Sequence, residues 1–184
     1  MSEVTPEPVR QLWSTEPDEF GVPLNFLGSQ SEDFYGAIGR IALLGALLEY
    51  RLLVLYQALV GARQDEHTQL SATQLIERAR TEIHLLRDDG QRSTVGRFLD
   101  DAEAVARRRN DYVHSLWPVQ SGTRLFGWRP PRSKDSGESV LVVETTMADV
   151  LHDIEWFVTV IKSWDRVFPY VSGRAHLRAQ GADV

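Results

Sequence analysis

The stretch AIGRIALLGALLEYRLLVLYQALVGA at residues 37–62 decides the fold of this chain. Its apolar run is long enough to cross a bilayer, but Arg40, Glu49 and Arg51 lie inside it, and charges at that depth are costly in hydrocarbon. It therefore reads as a buried helix, and the chain as a soluble one. Ser31, Glu32 and Asp33 place a capping hydroxyl and two acids at the start, so the helix is expected over 32–62, roughly 45 Å at ~1.5 Å per residue. Gly36, Gly39, Ala42, Gly45 and Ala46 leave one flank thin, which permits close approach of another helix, within the chain or across a dimer.

Outward from this helix, Ser71-Ala-Thr-Gln has the form of a capping box, and Leu75, Ile76, Ala79, Ile83 and Leu86 recur at helical spacing as far as Asp88-Asp89-Gly90. A third helix follows on Val95, Phe98, Leu99, Ala102, Val105, Ala106, Tyr112, Val113 and Leu116, until Trp117-Pro118 stops it. Residues 122–144 break the period; aromatic and β-branched ends around a turn-forming middle predict a two-stranded hairpin. A last helix is expected from Thr145 or Thr146 to Phe168-Pro169, with Val150, Leu151, Ile154, Phe157, Val158, Ile161 and Trp164 as its apolar stripe.

The expected architecture is all-α: an up-down bundle of four main helices at 31–168, with a small β-hairpin at 122–144 between the third and fourth. An extended arm at 1–30, carrying four prolines and the apolar residues Trp13, Phe20, Phe26 and Leu27, packs on the bundle or on a partner, and residues 169–184 form a mobile tail. The chain of 184 residues is long enough for one sizeable core. It has no cysteine, which excludes disulfides and thiolate metal sites. The opening MSEVTPEPVRQLW has acids and prolines where a secretory signal would have a basic start and an apolar run, and the expected home is the cytoplasm.

A formal net charge of −6 argues against coating nucleic acid by bulk electrostatics. Between 87 and 132, however, nine arginines face six acids, a local excess of three, and a polyanion site belongs there. That interval contains RRRNDYVHSLW at 107–117. Histidine moves protons near neutral pH, as the attack of an RNA 2′-hydroxyl on its own phosphate requires. Arginine holds the phosphate and offsets the charge that builds on it; asparagine orients either group. Arg109, Asn110 and His114 thus make a compact kit for phosphodiester chemistry without a metal or other cofactor. On one helix at ~100° per residue, Arg109 and His114 project about 140° apart, so one copy is half a site, which a two-fold dimer would complete.

RRRNDYVHSLW resembles the motif of the HEPN superfamily, an arginine and a histidine separated by four to six residues, here four, often with Asn, Asp or His directly after the arginine. The resemblance covers 109–114 in specific residues and about 31–168 in the expected topology. It implies a small helical bundle that dimerises around a shared cleft, and a metal-independent endoribonuclease of toxin or anti-phage type that leaves a cyclic phosphate end. Arg109 and His114 would be the active pair, with Asn110, Asp111 and Tyr112 supporting them. An acid on an earlier helix pairs with the motif in several members; Glu49, expected to be buried, is the candidate. A separate antitoxin or regulatory protein is a further implied partner.

Other readings compete. Arg109 and His114 also suit a solvated helix end, where cations favour the dipole, and Arg107 and Arg108 suit a solvated face as well as RNA. Glu49 also fits a pair with Arg51. Phe126, Trp128 and Arg129 on the hairpin suit either base stacking or covering the end of the bundle, whereas Trp13, Trp156 and Trp164 read as packing. His67, His84 and His152-Asp153 lack companion ligands, so no metal is expected. Two alternatives to the nuclease remain: an inactive HEPN-like module that binds RNA, a nucleotide or a protein, and a structural helical dimer.

Overall fold

The structure, a computed structural model, describes residues 15–23, 26, 30–121, 123–129 and 141–179, with the backbone alone at 118–121 and 173–179. It is mostly helical. Four α-helices occur among the described residues: α1 (Glu32–Val60), α2 (Ala72–Glu82), α3 (Asp89–Val113) and α4 (Met147–Ala179). A 3-10 turn at Ile83–Leu85 follows α2, and strands β1 (Leu116–Ser121), β2 (Arg124–Arg129) and β3 (Leu141–Thr146) form an antiparallel sheet in the order β1-β2-β3. Among the described residues, no helix is long and apolar enough to cross a membrane.

Local chemistry sets the helix starts. The Ser31 hydroxyl accepts the Phe34 N–H at 3.2 Å, and Ser71 and Gln74 form the expected reciprocal capping box. Thr146 and Asp149 do the same for α4: the Asp149 carboxylate accepts from Thr146 N at 2.9 Å, and Thr146 Oγ1 accepts from Asp149 N at 3.2 Å. α1 ends at Gly61, whose φ of +70° is the left-handed conformation that glycine adopts freely.

The described residues fall into two compact units, one within Met1–Arg40 and Asn110–Ile154 and one within Ile41–Arg109 and Glu155–Val184, so α1, α3 and α4 each supply residues to both. In the second unit Leu48, Leu52, Leu55 and Leu59 of α1 are buried, as are Leu75, Ile76 and Ala79 of α2. Val95, Phe98, Leu99, Ala102 and Val105 of α3 and Phe157, Val160, Trp164 and Val167 of α4 complete this core. Arg51 does not pair with Glu49; its guanidinium donates to the Ile161 carbonyl and lies over the Trp164 ring, 5.8 Å from the centroid, which lets a cation sit in an apolar helix. Arg80 joins α2 to α3 through Asp100 at 2.6 Å and Glu103 at 2.7 Å. The Phe98 ring meets Trp164 at 5.7 Å.

The first unit is built on aromatic contacts and the sheet. Trp117 packs edge-on against Phe34 at 5.2 Å, stacks on Tyr112 at 6.0 Å, and donates its indole N–H to the Tyr112 carbonyl at 2.9 Å. Gly127 lies so close that a Cβ there would stand 2.9 Å from the Ser115 Cβ and 3.0 Å from the Trp117 ring. Gln30 Nε2 donates to the Trp117 carbonyl at 3.0 Å and ties the entry to α1 onto β1.

Several expectations change. The third helix ends at Val113, short of Leu116 on its expected stripe, and Leu116-Trp117-Pro118 open a third strand, so the sheet extends beyond a two-stranded hairpin. β1 is an edge strand, where proline's missing N–H is tolerated, and its register against β2 shifts between Leu116 and Val119. α4 runs through Pro169 to Ala179, because burial of Val167 and Val171 continues the apolar stripe past the lost hydrogen bond. Phe20 and Phe26 are exposed, so these two are not buried on the described helices; residues 15–23 make a turn in which the Asp18 carboxylate accepts from Phe20 N and Val22 N at 2.9 Å. Trp13 and Leu27 of the expected arm, the turn-forming middle of the hairpin at 130–140, and 180–184 of the expected tail lie outside the described residues.

Candidate functional site

The Arg-Asn-Asp-Tyr-Val-His motif occupies the last turn of α3 and the residue after it. Arg109 belongs to the second unit, and Asn110 to His114 to the first. Within the second unit Arg109 is half-buried against α1: a Cβ at Gly45 would stand 3.0 Å from Arg109 Cγ and 3.1 Å from its Nε. One of the small residues that thins the flank of α1 thus makes room for the stem of the motif arginine.

Within the first unit the Asn110 carbonyl accepts the His114 N–H at 3.2 Å, which carries the helical ladder one residue past α3. Asn110 is half-buried, and the His114 side chain is exposed. Two of the three residues between, Asp111 and Tyr112, make side-chain contacts with β2 and α4. Asp111 pairs with Arg129 of β2 at 2.6 Å, both side chains largely shielded. Tyr112, 1% exposed, donates its hydroxyl to Asp153 Oδ2 at 2.6 Å and lies 3.3 Å from Thr145 Oγ1. A buried phenol bonded to a carboxylate holds the backbone of the same turn in place.

Asp153 has no role in the sequence beyond the excluded metal pair with His152; the structure makes it a buried carboxylate and leaves His152 exposed. The signal was available: Val150, Asp153, Phe157 and Val160 follow helical spacing, so Asp153 falls on the buried stripe and needs a polar partner. Among the described residues, no group of three or more histidine or carboxylate side chains is placed to hold a metal ion.

The remaining candidates are dispersed. Glu49 is half-buried, not buried as expected, because it lies on the side of α1 between the buried Leu48 and the exposed Tyr50; it has no ion pair among the described residues. Arg107 is matched by Glu103 on its own helix, and Arg108 is half-buried. The Arg80 and Arg107 guanidiniums hold the Glu103 carboxyl below its usual range. Phe126 is half-buried, and Trp164 is buried as expected. Trp128, 49% exposed, sits opposite Leu116 on β1 and Val142 on β3, both also exposed, so these three side chains form an apolar row across one face of the sheet. No family model, curated protein or solved structure matches this chain at a significant level.

Proposed function

We propose that this chain is a metal-independent endoribonuclease of toxin or anti-phage type, a cytoplasmic homodimer of HEPN-like four-helix bundles with a composite site made from two copies of the motif. The observation that carries the reading is that the His114 side chain is exposed at the end of α3, five residues after Arg109. In the reaction His114 takes the proton of a 2′-hydroxyl. The 2′-oxygen bonds to the adjacent phosphorus as the bond to the next 5′-oxygen breaks, and that oxygen is protonated by the His114 of the second copy. Arg109 offsets the added charge on phosphorus, and Asn110 orients the imidazole. The products are a 2′,3′-cyclic phosphate and a 5′-hydroxyl. Trp128, with Leu116 and Val142 beside it, offers an exposed face on which an unpaired base can stack.

The test incubates the purified chain with single-stranded RNA and a metal chelator. Cleavage to cyclic phosphate ends is expected for the wild type and is lost in both His114→Ala and Arg109→Ala. A wild type that binds RNA and never cleaves it replaces the nuclease with the inactive binding module. If both variants change the dimer mass and nothing else, the motif is part of a structural interface. Co-purification of a second, tightly held protein would supply the antitoxin or regulator.

A further inference from the structure

Away from the motif, α3 and α4 border a cavity of about 570 Å³ within the second unit, a volume suited to a small organic ligand. Arg97, Phe98 and Asp101 line it from successive turns of α3, and Arg166 and Tyr170 from α4. Phe98 is the buried apolar member of the lining, its ring beside Trp164.

The charges set its chemistry. Arg97 and Arg166 make no ion pair among the described residues, and Asp101, in the same lining, makes none either. Thr94 and Ser163, also in the lining, donate their hydroxyl protons to the Gly90 and Val160 carbonyls at 2.8 and 2.7 Å, which leaves them as acceptors. The cavity therefore presents two guanidinium forks together with a carboxylate and two hydroxyl acceptors. A bare anion would satisfy the arginines and meet repulsion from Asp101. A ligand with phosphate at one end and hydroxyl donors at the other satisfies both sets, and the Tyr170 ring adds a face for a planar group.

We infer that this cavity binds a ribose phosphate, the chemistry shared by a free mononucleotide and the 5′ end of an RNA. No motif residue lines the cavity, so the inference stands or falls apart from the cleavage reading. The test is calorimetric titration of the full-length chain at one fixed, low ionic strength with inorganic phosphate, ribose, ribose 5-phosphate and adenosine 5′-monophosphate. Ribose 5-phosphate is expected to bind at least about tenfold more tightly than phosphate or ribose. Arg97→Gln and Arg166→Gln each weaken it by about tenfold or more, since each removes a charge-assisted contact. Asp101→Asn weakens ribose 5-phosphate while leaving phosphate unchanged or tighter. Arg97, Asp101 and Arg166 are exposed, so the variants should keep the wild-type urea midpoint. In the His114→Ala background, a 5′-phosphorylated oligoribonucleotide compared with its 5′-hydroxyl twin separates an RNA end from a free nucleotide as the source. Equal affinity for phosphate and ribose 5-phosphate, indifference to both arginines, or tighter binding of both ligands by Asp101→Asn overturns the inference.

Discussion

Replacing Tyr112 by phenylalanine removes one oxygen atom from the middle of the motif and leaves the ring, its stack on Trp117 and the backbone carbonyl that accepts the Trp117 N–H. What is lost is the hydroxyl's bond to Asp153 at 2.6 Å and its approach to Thr145 at 3.3 Å. A hydrogen bond to a charged group contributes about 1.5–3 kcal/mol, and Asp153, 5% exposed, cannot replace it from bulk water. The expected destabilisation is about 2 kcal/mol, mostly from the carboxylate left short of a donor. With a urea dependence of about 2 kcal/mol/M, the unfolding midpoint should fall by about 1 M. Far-UV dichroism and tryptophan fluorescence should be followed together, since coincident transitions are needed for the conversion. A Tyr112→Phe, Asp153→Asn double variant should be destabilised by less than the sum of the singles, because both remove the same interaction. A midpoint shift below about 0.2 M, or strict additivity, would show that this pair does not hold the turn. Below its transition, Tyr112→Phe should retain wild-type RNA cleavage, which separates the structural member of the motif from the chemical ones.

Gly45→Ala tests the seat of Arg109: the new Cβ must push aside a flexible stem that would otherwise be 3.0 Å away, so stability should change by no more than ~1 kcal/mol while single-turnover cleavage falls about tenfold or more. Wild-type cleavage in that variant would mean that the arginine's position is not critical. Glu103→Gln tests the α2–α3 ion network. Arg80 and Arg107 lower the folded-state pKa of Glu103 below its ordinary 4.5, so its ionised form stabilises the fold above that value, and the contribution is lost as pH falls through the lowered pKa. The wild type should exceed the variant by ~1 kcal/mol at pH 7, with the gap closing in acid; a gap that persists at low pH would assign the effect to packing.

The parts of this molecule that could be read along the chain are those decided by neighbours three or four residues away. The start of α1 at Ser31, the capping box at Ser71 and the start of α4 at Thr146 follow from a side-chain oxygen beside an orphan N–H, and their residues are adjacent in sequence. Signals that stop a helix were less complete. Trp117-Pro118 and Pro169 both carry the same local penalty, yet the first opens a strand and the second lies inside a helix. Pairing with β2 decides one, and burial of Val167 and Val171 decides the other.

The spacing of Arg109, Asn110 and His114, and their place at the end of a long helix, were determined by the sequence itself, because helical periodicity is a local property. Which partner each polar group of that segment takes was not. Asp111 is matched by Arg129, eighteen positions on, and Tyr112 by Asp153, forty-one positions on. Glu49 and Arg51, two residues apart, do not pair, because Arg51 turns to the Ile161 carbonyl. A buried polar group takes its partner from whatever the packed helices and strands bring near, and that choice exists only after the chain has folded.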